Sequence, residues 1–232
     1  MGFLAWLFGG GDPTAKAAKL EKRATTVKKE KPDEAIELLR QAEAILKKAG
    51  FGTSGIRLRI ATVLYEAKRF DEAEALLLEE YRAARKWVID KREFDAADAK
   101  YHERIRDTKR LYGKIADYER NRNGDECADF YRNLHCKDIY AKLRTCYERA
   151  KRFDKALPFA MAEAYAGYEN RCHDMYADDP QPDYKAVLRC LKKLGREDDM
   201  ERLQAVFCKY ARKPDSTKCW RMIDEIQEKF IK

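Results

Sequence analysis

The segment AKRFDEA from Ala67 to Ala73 returns as AKRFDKA from Ala150 to Ala156, identical at six of seven positions, and each copy joins two amphipathic helical patterns. Self-similarity of this kind marks stacked helical hairpins, in which no unit can bury its apolar face alone and each relies on its neighbours. It constrains the architecture strongly and names neither a ligand nor a reaction. The 232 residues are enough for a substantial core. With 45% hydrophobic and 39% charged residues, the composition fits long helices with solvated outer faces better than a sheet protein. Only 11 Gly and 6 Pro interrupt the chain, so each break is informative.

Residues 1–11 read as an apolar segment ending in the Gly9 to Gly11 hinge, and residues 12–232 as a single helical-repeat domain. Asp12 as N-cap and Pro13 as first helical residue open a helix expected to reach about Lys29, with Ala17, Leu20, Ala24 and Val27 on one face. Pro32 and Asp33 restart the chain to about Ala49, which completes a first hairpin over about 14–49. Ser54 is expected to cap the next helix and Asp71 the one after it, giving a hairpin over about 54–90. The helical period then runs unbroken over about 94–122, one long helix, followed by a short helix over about 125–134. Hairpins over about 138–176 and 183–212 and a terminal helix over about 216–231 complete the chain. The Ile223, Ile226 and Phe230 stripe of that last helix is expected to pack on the preceding hairpin.

The repeated turn resembles the tetratricopeptide (TPR) repeat, in which an aromatic residue, an acid and a small alanine sit across the turn of a helix pair. Phe70, Asp71 and Ala73 match, with Ile60 and Ala61 at the Leu and Gly positions of the first helix. Phe153, Asp154 and Ala156 match again, with Tyr140, Leu143 and Tyr147 at the Trp, Leu and Tyr positions. Weaker echoes lie at Pro32 to Ala35 and at Leu191 to Met200. The resemblance implies an all-α fold, a right-handed α-solenoid of TPR-like helical hairpins, here with one long central helix. Two departures stand out: the alanine expected within the second helix is Glu80 in one copy and Glu163 in the other, and the turn glycine is Lys68 and Lys151. The carboxylate clamp of co-chaperone TPR proteins is absent, because its Lys and Asn positions carry Leu58, Thr62, Ala141 and Thr145. By the same likeness a partner-binding groove would be lined by Leu58, Thr62, Tyr65, Ala141, Thr145 and Glu148, with interhelix packing as the alternative role for some of them.

Enzyme signatures are missing: the chain has three His and no GxSxG, HExxH, P-loop or GxGxxG pattern. Catalytic residues and a cofactor are therefore not expected. All seven Cys lie from Cys127 onward without a CxxC pair, which fits reduced thiols in a cytoplasmic protein. A hairpin turning near Arg152 would bring His135 and Cys136 towards Cys172 and His173, but adjacent ligands within each pair are unusual for structural zinc, and no metal site is assigned. No apolar run approaches the about 18 residues of a membrane span, and the N-terminal segment lacks the features of a signal peptide.

Phe3, Leu4, Trp6, Leu7 and Phe8, followed by Lys16, Lys19, Lys22 and Arg23, could enter a membrane interface while the cations meet anionic headgroups. In this segment the chain is similar to the SNAP adaptors of vesicle fusion, which join a TPR-like solenoid to an apolar loop of the FLxxLFGG type. The alternative is that the segment docks onto its own first hairpin or onto a partner. The net charge of +8 also raises nucleic acid, and Tyr101, Arg104, Tyr112, Lys114 and Tyr118 interleave rings with cations. Those tyrosines share the apolar period, and Asp98, Glu103 and Asp107 dilute the field, which weighs against that reading. The leading expectation is a non-enzymatic scaffold or adaptor that binds a peptide or helix of another protein, with peripheral membrane contact as the second.

Overall fold

The computed structural model describes residues 12–86, 136–172, 182–212 and 216–231, without the side chains of 170–172. Among them there are nine α-helices and no strand, so the described part of the chain is all-helical, as its periodicity requires. None of these helices is long and apolar enough to cross a membrane. The chain divides into two compact units, Met1–Glu80 with Thr145–Lys151, and Tyr81–Arg144 with Arg152–Lys232. The apolar segment 1–11 and the helices expected over 94–122 and 125–134 lie outside the described residues.

The first unit contains α1 (Pro13–Val27), α2 (Pro32–Lys48), α3 (Ser54–Glu66), residues 70–80 of α4 (70–86) and the end of α5 (136–149). Asp12 caps α1 as its sequence predicts: its carboxylate accepts the Thr14 N–H at 2.9 Å and the Thr14 hydroxyl at 2.6 Å, which holds the carboxyl below its ordinary range. α2 packs on both α1 and α3, burying Ala35, Ile36, Leu38, Leu39 and Ala42. Ala17 and Ala24 are the buried residues of α1, and their small size lets the helices approach closely. The Cys146 thiol donates to the Phe70 carbonyl at 3.7 Å and the Tyr147 hydroxyl to Glu74 at 3.1 Å, tying the end of α5 to the start of α4.

The second unit is built around α6 (Phe153–Cys172), with α7 (Lys185–Lys193), α8 (Met200–Ala211) and α9 (Ser216–Phe230) packed on it. Leu157, Phe159, Met161, Ala162, Ala164 and Tyr165 are all buried, so α6 is covered over most of its circumference, as befits a helix at the centre of a core. Tyr81 meets Tyr140 and Phe159 edge-on at ring separations of 6.2 and 5.8 Å. A second aromatic set gathers Tyr165, Tyr168 and Tyr184 around Phe207. Ile223, Ile226 and Phe230 of α9 are buried, and α9 lies on α6 as well as on α8 of the preceding hairpin. Glu225 fastens α9 to α8 by accepting from Lys209 at 2.7 Å and Tyr210 at 2.5 Å, and it also accepts from Lys229 at 2.8 Å. Hydrogen bonds from Lys209, then Lys229 and Tyr210, hold its carboxyl down to about 2.

Four helix ends share one turn geometry. Gly50, Lys68, Lys151 and Gly195 each adopt a left-handed backbone, with φ of 79°, 64°, 59° and 65°. At three of them the next N–H reaches back five residues: Phe51 to Leu46 O, Arg69 to Leu64 O and Arg196 to Leu191 O, each at 2.9 Å. This is the Schellman closure, and it reverses the chain in so few residues that the next helix starts almost at once. Two expected caps are corrected for that reason and for a neighbouring one. Arg69, not Asp71, is the boundary residue of α4, because the Arg69 carbonyl already accepts the Ala73 N–H at 3.1 Å. Thr53 holds the cap position of α3 without a side-chain bond, and the Ser54 hydroxyl donates instead to Glu80.

Lysine in a left-handed conformation stores about 1–2 kcal/mol that glycine would not, part of which glycine returns through its freer unfolded chain. Lys68→Gly and Lys151→Gly should therefore each raise stability by roughly 0.5–1 kcal/mol in urea unfolding, and Gly195→Ala should lower it by about 1 kcal/mol. Destabilisation by both lysine-to-glycine changes would contradict the assignment.

Candidate functional site

Within the second unit, α5, α6 and α7 line a cleft of about 410 Å³. Its floor is a stripe of small residues on α6, Ala160, Ala164 and Gly167, at the four- and three-residue steps that place side chains on one helix face. Its walls carry four cations: Lys137 and Arg144 from α5, Lys185 and Arg189 from α7. Two acids share the lining, Glu163 and Asp183. The Lys137 ammonium lies over Gly167, 4.0 Å from where a β-carbon would sit. Glu163 is engaged by Arg144, whose Nε donates to it at 2.5 Å. Asp183 accepts the backbone N–H of Lys185 at 3.0 Å, in the first turn of α7. Among the described residues the lining supplies no histidine, cysteine or hydroxyl nucleophile.

The Arg144–Glu163 pair has a counterpart in the first unit. Glu80 and Glu163 stand at the same distance from the two copies of the repeated turn, and both occur where the TPR likeness calls for alanine. Glu80 is buried, and it accepts from Arg57 Nε at 3.1 Å and from Ser54. In each hairpin, then, an arginine from the first helix meets the glutamate of the second. The arginines are not in equivalent positions: by the repeat register Arg57 corresponds to Tyr140, and Arg144 to Ala61, one turn further on. Arg57 also pairs with Glu79 and lies 3.8 Å from Glu43. A smaller cleft of about 270 Å³ beside it has Ile60, Leu64 and Leu76 at its base and a rim balanced between Arg40 and Arg57 and Glu43 and Glu72.

The residues expected to line a peptide groove fall differently. Leu58 and Tyr65 are only 6% and 5% exposed and offer a ligand almost no surface in this structure. Thr62, Thr145 and Glu148 are half-buried in the first unit, and Ala141 is half-buried in the second. The Thr62 hydroxyl donates within its own helix to the Leu58 carbonyl at 2.8 Å, and the Arg149 guanidinium lies 5.0 Å from the centre of the Tyr65 ring. Phe3, Leu4, Trp6, Leu7 and Phe8, together with His135, His173 and the Cys172 side chain, lie outside the described residues. Cys136 is buried, and that burial pushes its thiol up to about 12.

The cleft itself was not among the expected sites. Its signals in the sequence are the spacing of Ala160, Ala164 and Gly167 and the run Lys185, Leu188, Arg189, Lys192 at helical spacing. Neither stripe shows by itself which helix faces which. Comparison with protein-family models, curated proteins and solved structures finds no match to this chain.

Proposed function

We propose that this chain is a non-enzymatic scaffold or adaptor, a divergent TPR-like right-handed solenoid, that docks a peptide or helix of a partner protein. The observation that carries the reading is the cleft of the second unit. It is open, floored by small residues and walled by cations, and the one glutamate in it is engaged by arginine, so its chemistry is that of recognition and not of bond making. The common turn geometry at Gly50, Lys68, Lys151 and Gly195 and the fully buried Ala73 and Ala156 support the kinship with TPR hairpins. A cytoplasmic setting with reduced thiols completes the proposal.

A second reading rests on α1, where Lys16, Lys19, Lys22 and Arg23 are all exposed, next in sequence to the apolar Phe3 to Phe8 segment. In that reading the chain is a peripheral membrane adaptor held by segment and cations together.

Two experiments separate the readings. A photo-crosslinking residue in place of Ala186, in the cleft, should give a discrete polypeptide adduct in cells of the source organism, and one in place of Glu30 should not. Equal labelling from both positions, or from neither, would contradict the docking reading. Flotation with phosphatidylserine liposomes should be lost on removal of Met1 to Gly11 if the membrane reading holds, whereas equal flotation of both chains would dismiss it.

A further inference from the structure

We propose that the cleft and the exposed face of α7 form one continuous docking site for an acidic peptide that carries an apolar residue. The inference rests on the docking reading above and specifies the chemistry of its ligand. Leu188 and Arg189 lie three and four residues after Lys185, and Lys192 lies four and three residues after them, so the four share a helix face, and all are exposed. Val187, Cys190 and Leu191 point the other way and are buried, which fixes the orientation of the helix. Lys185 and Arg189 belong both to this face and to the cleft wall, so stripe and cleft meet without a break.

Charge complementarity identifies the occupant. Several cations elsewhere in the second unit are matched: Arg85 to Asp224, Arg202 to Asp199, Lys209 and Lys229 to Glu225. Lys137, Lys185 and Lys192 have no ion-pair partner among the described residues. Their positive field is therefore uncommitted and favours an anionic ligand. Leu188 adds the apolar anchor. It is 49% exposed and, with Phe51, one of the two large hydrophobic residues so exposed among the described residues.

The spacing selects a peptide over a polyphosphate chain. Carboxylates three or four residues apart on a helix are about 5–6 Å from one another at their β-carbons, the same spacing as the cations of α7. The small floor of Ala160, Ala164 and Gly167 leaves room for one acidic side chain to reach Lys137 between the helices. The exposed apolar group of the site is an aliphatic side chain, which anchors a peptide's apolar residue and offers a nucleic-acid base no ring to stack on.

The test is fluorescence anisotropy on the full chain at low and physiological salt. The probes are a labelled helix-forming peptide of Glu, Ala and a single Leu, and the same peptide with Gln for every Glu. The Glu peptide should bind at least tenfold more tightly than the Gln peptide, and less tightly as salt rises. Binding should weaken at least tenfold in Lys185→Glu/Lys192→Glu, and about threefold in Lys137→Gln and in Leu188→Ala. Lys185, Leu188 and Lys192 are exposed, so circular dichroism should show these variants folded. Equal binding of the two peptides, or indifference to the lysine changes, would overturn the proposal. So would binding of an oligothymidylate or of phosphatidylserine vesicles that is lost in the same variants while the Glu peptide fails to bind. Should the crosslink from position 186 still capture the same polypeptide in the lysine variant, docking survives and the acidic ligand does not. Absence of that crosslink in the unaltered chain removes both.

Discussion

A carboxylate set between two packed helices must be given a cation or be left out of the core, and this constraint acts at the same register in both hairpins of the chain. Leaving a buried charge unpaired costs several kcal/mol, more than the net gain of most single contacts. Glu80 meets Arg57 and Ser54, and Glu163 meets Arg144, each cation coming from the first helix of its own hairpin. The pairs replace what alanine does in the TPR pattern, where small residues let helices cross closely. A guanidinium and a carboxylate need more room than two methyl groups. In the second unit that room continues as the cleft, since Arg144 and Glu163 are part of its wall.

Around those pairs the rest of each unit is conventional apolar packing. α6 carries so many alanines that α7, α8 and α9 can all pack on it, and the larger rings of Tyr140, Phe159 and Phe207 fill the spaces between helices. Ion pairs on the outside are mostly exposed and add little to stability individually. Their importance lies in what they leave over. With Asp224, Asp199 and Glu225 engaged elsewhere, Lys137, Lys185 and Lys192 keep a charge at the cleft and on α7 that a ligand can meet.

Much of the fold is legible in local pattern because local physics dictates it. Asp12 and Pro13 announce α1, and the period of Ile223, Ile226 and Phe230 identifies the buried face of α9. The repeated AKRF sequence marks the turns, although it does not reveal that Lys68 and Lys151 take the backbone conformation that Gly50 and Gly195 take more easily. Features that depend on a partner helix are hidden. Ser54 has the chemistry of an N-cap, yet Glu80, 26 residues away, claims its hydroxyl. The alanine-to-glutamate departures are visible as departures, but the arginine that answers each shifts by a turn between the copies, so no fixed spacing betrays the pair. Leu58 and Tyr65 occupy groove positions by likeness and are buried, because register along a helix does not determine what covers each face.

The most direct test of this account is a double-mutant cycle on Arg144→Ala and Glu163→Ala, read by urea unfolding. If the pair holds its hairpin, each single change should be destabilising and the double change should cost less than their sum, with a coupling of about 1–2 kcal/mol. Simple additivity of the two would show that the arginine and glutamate act independently, and the central role given to the pair would be wrong.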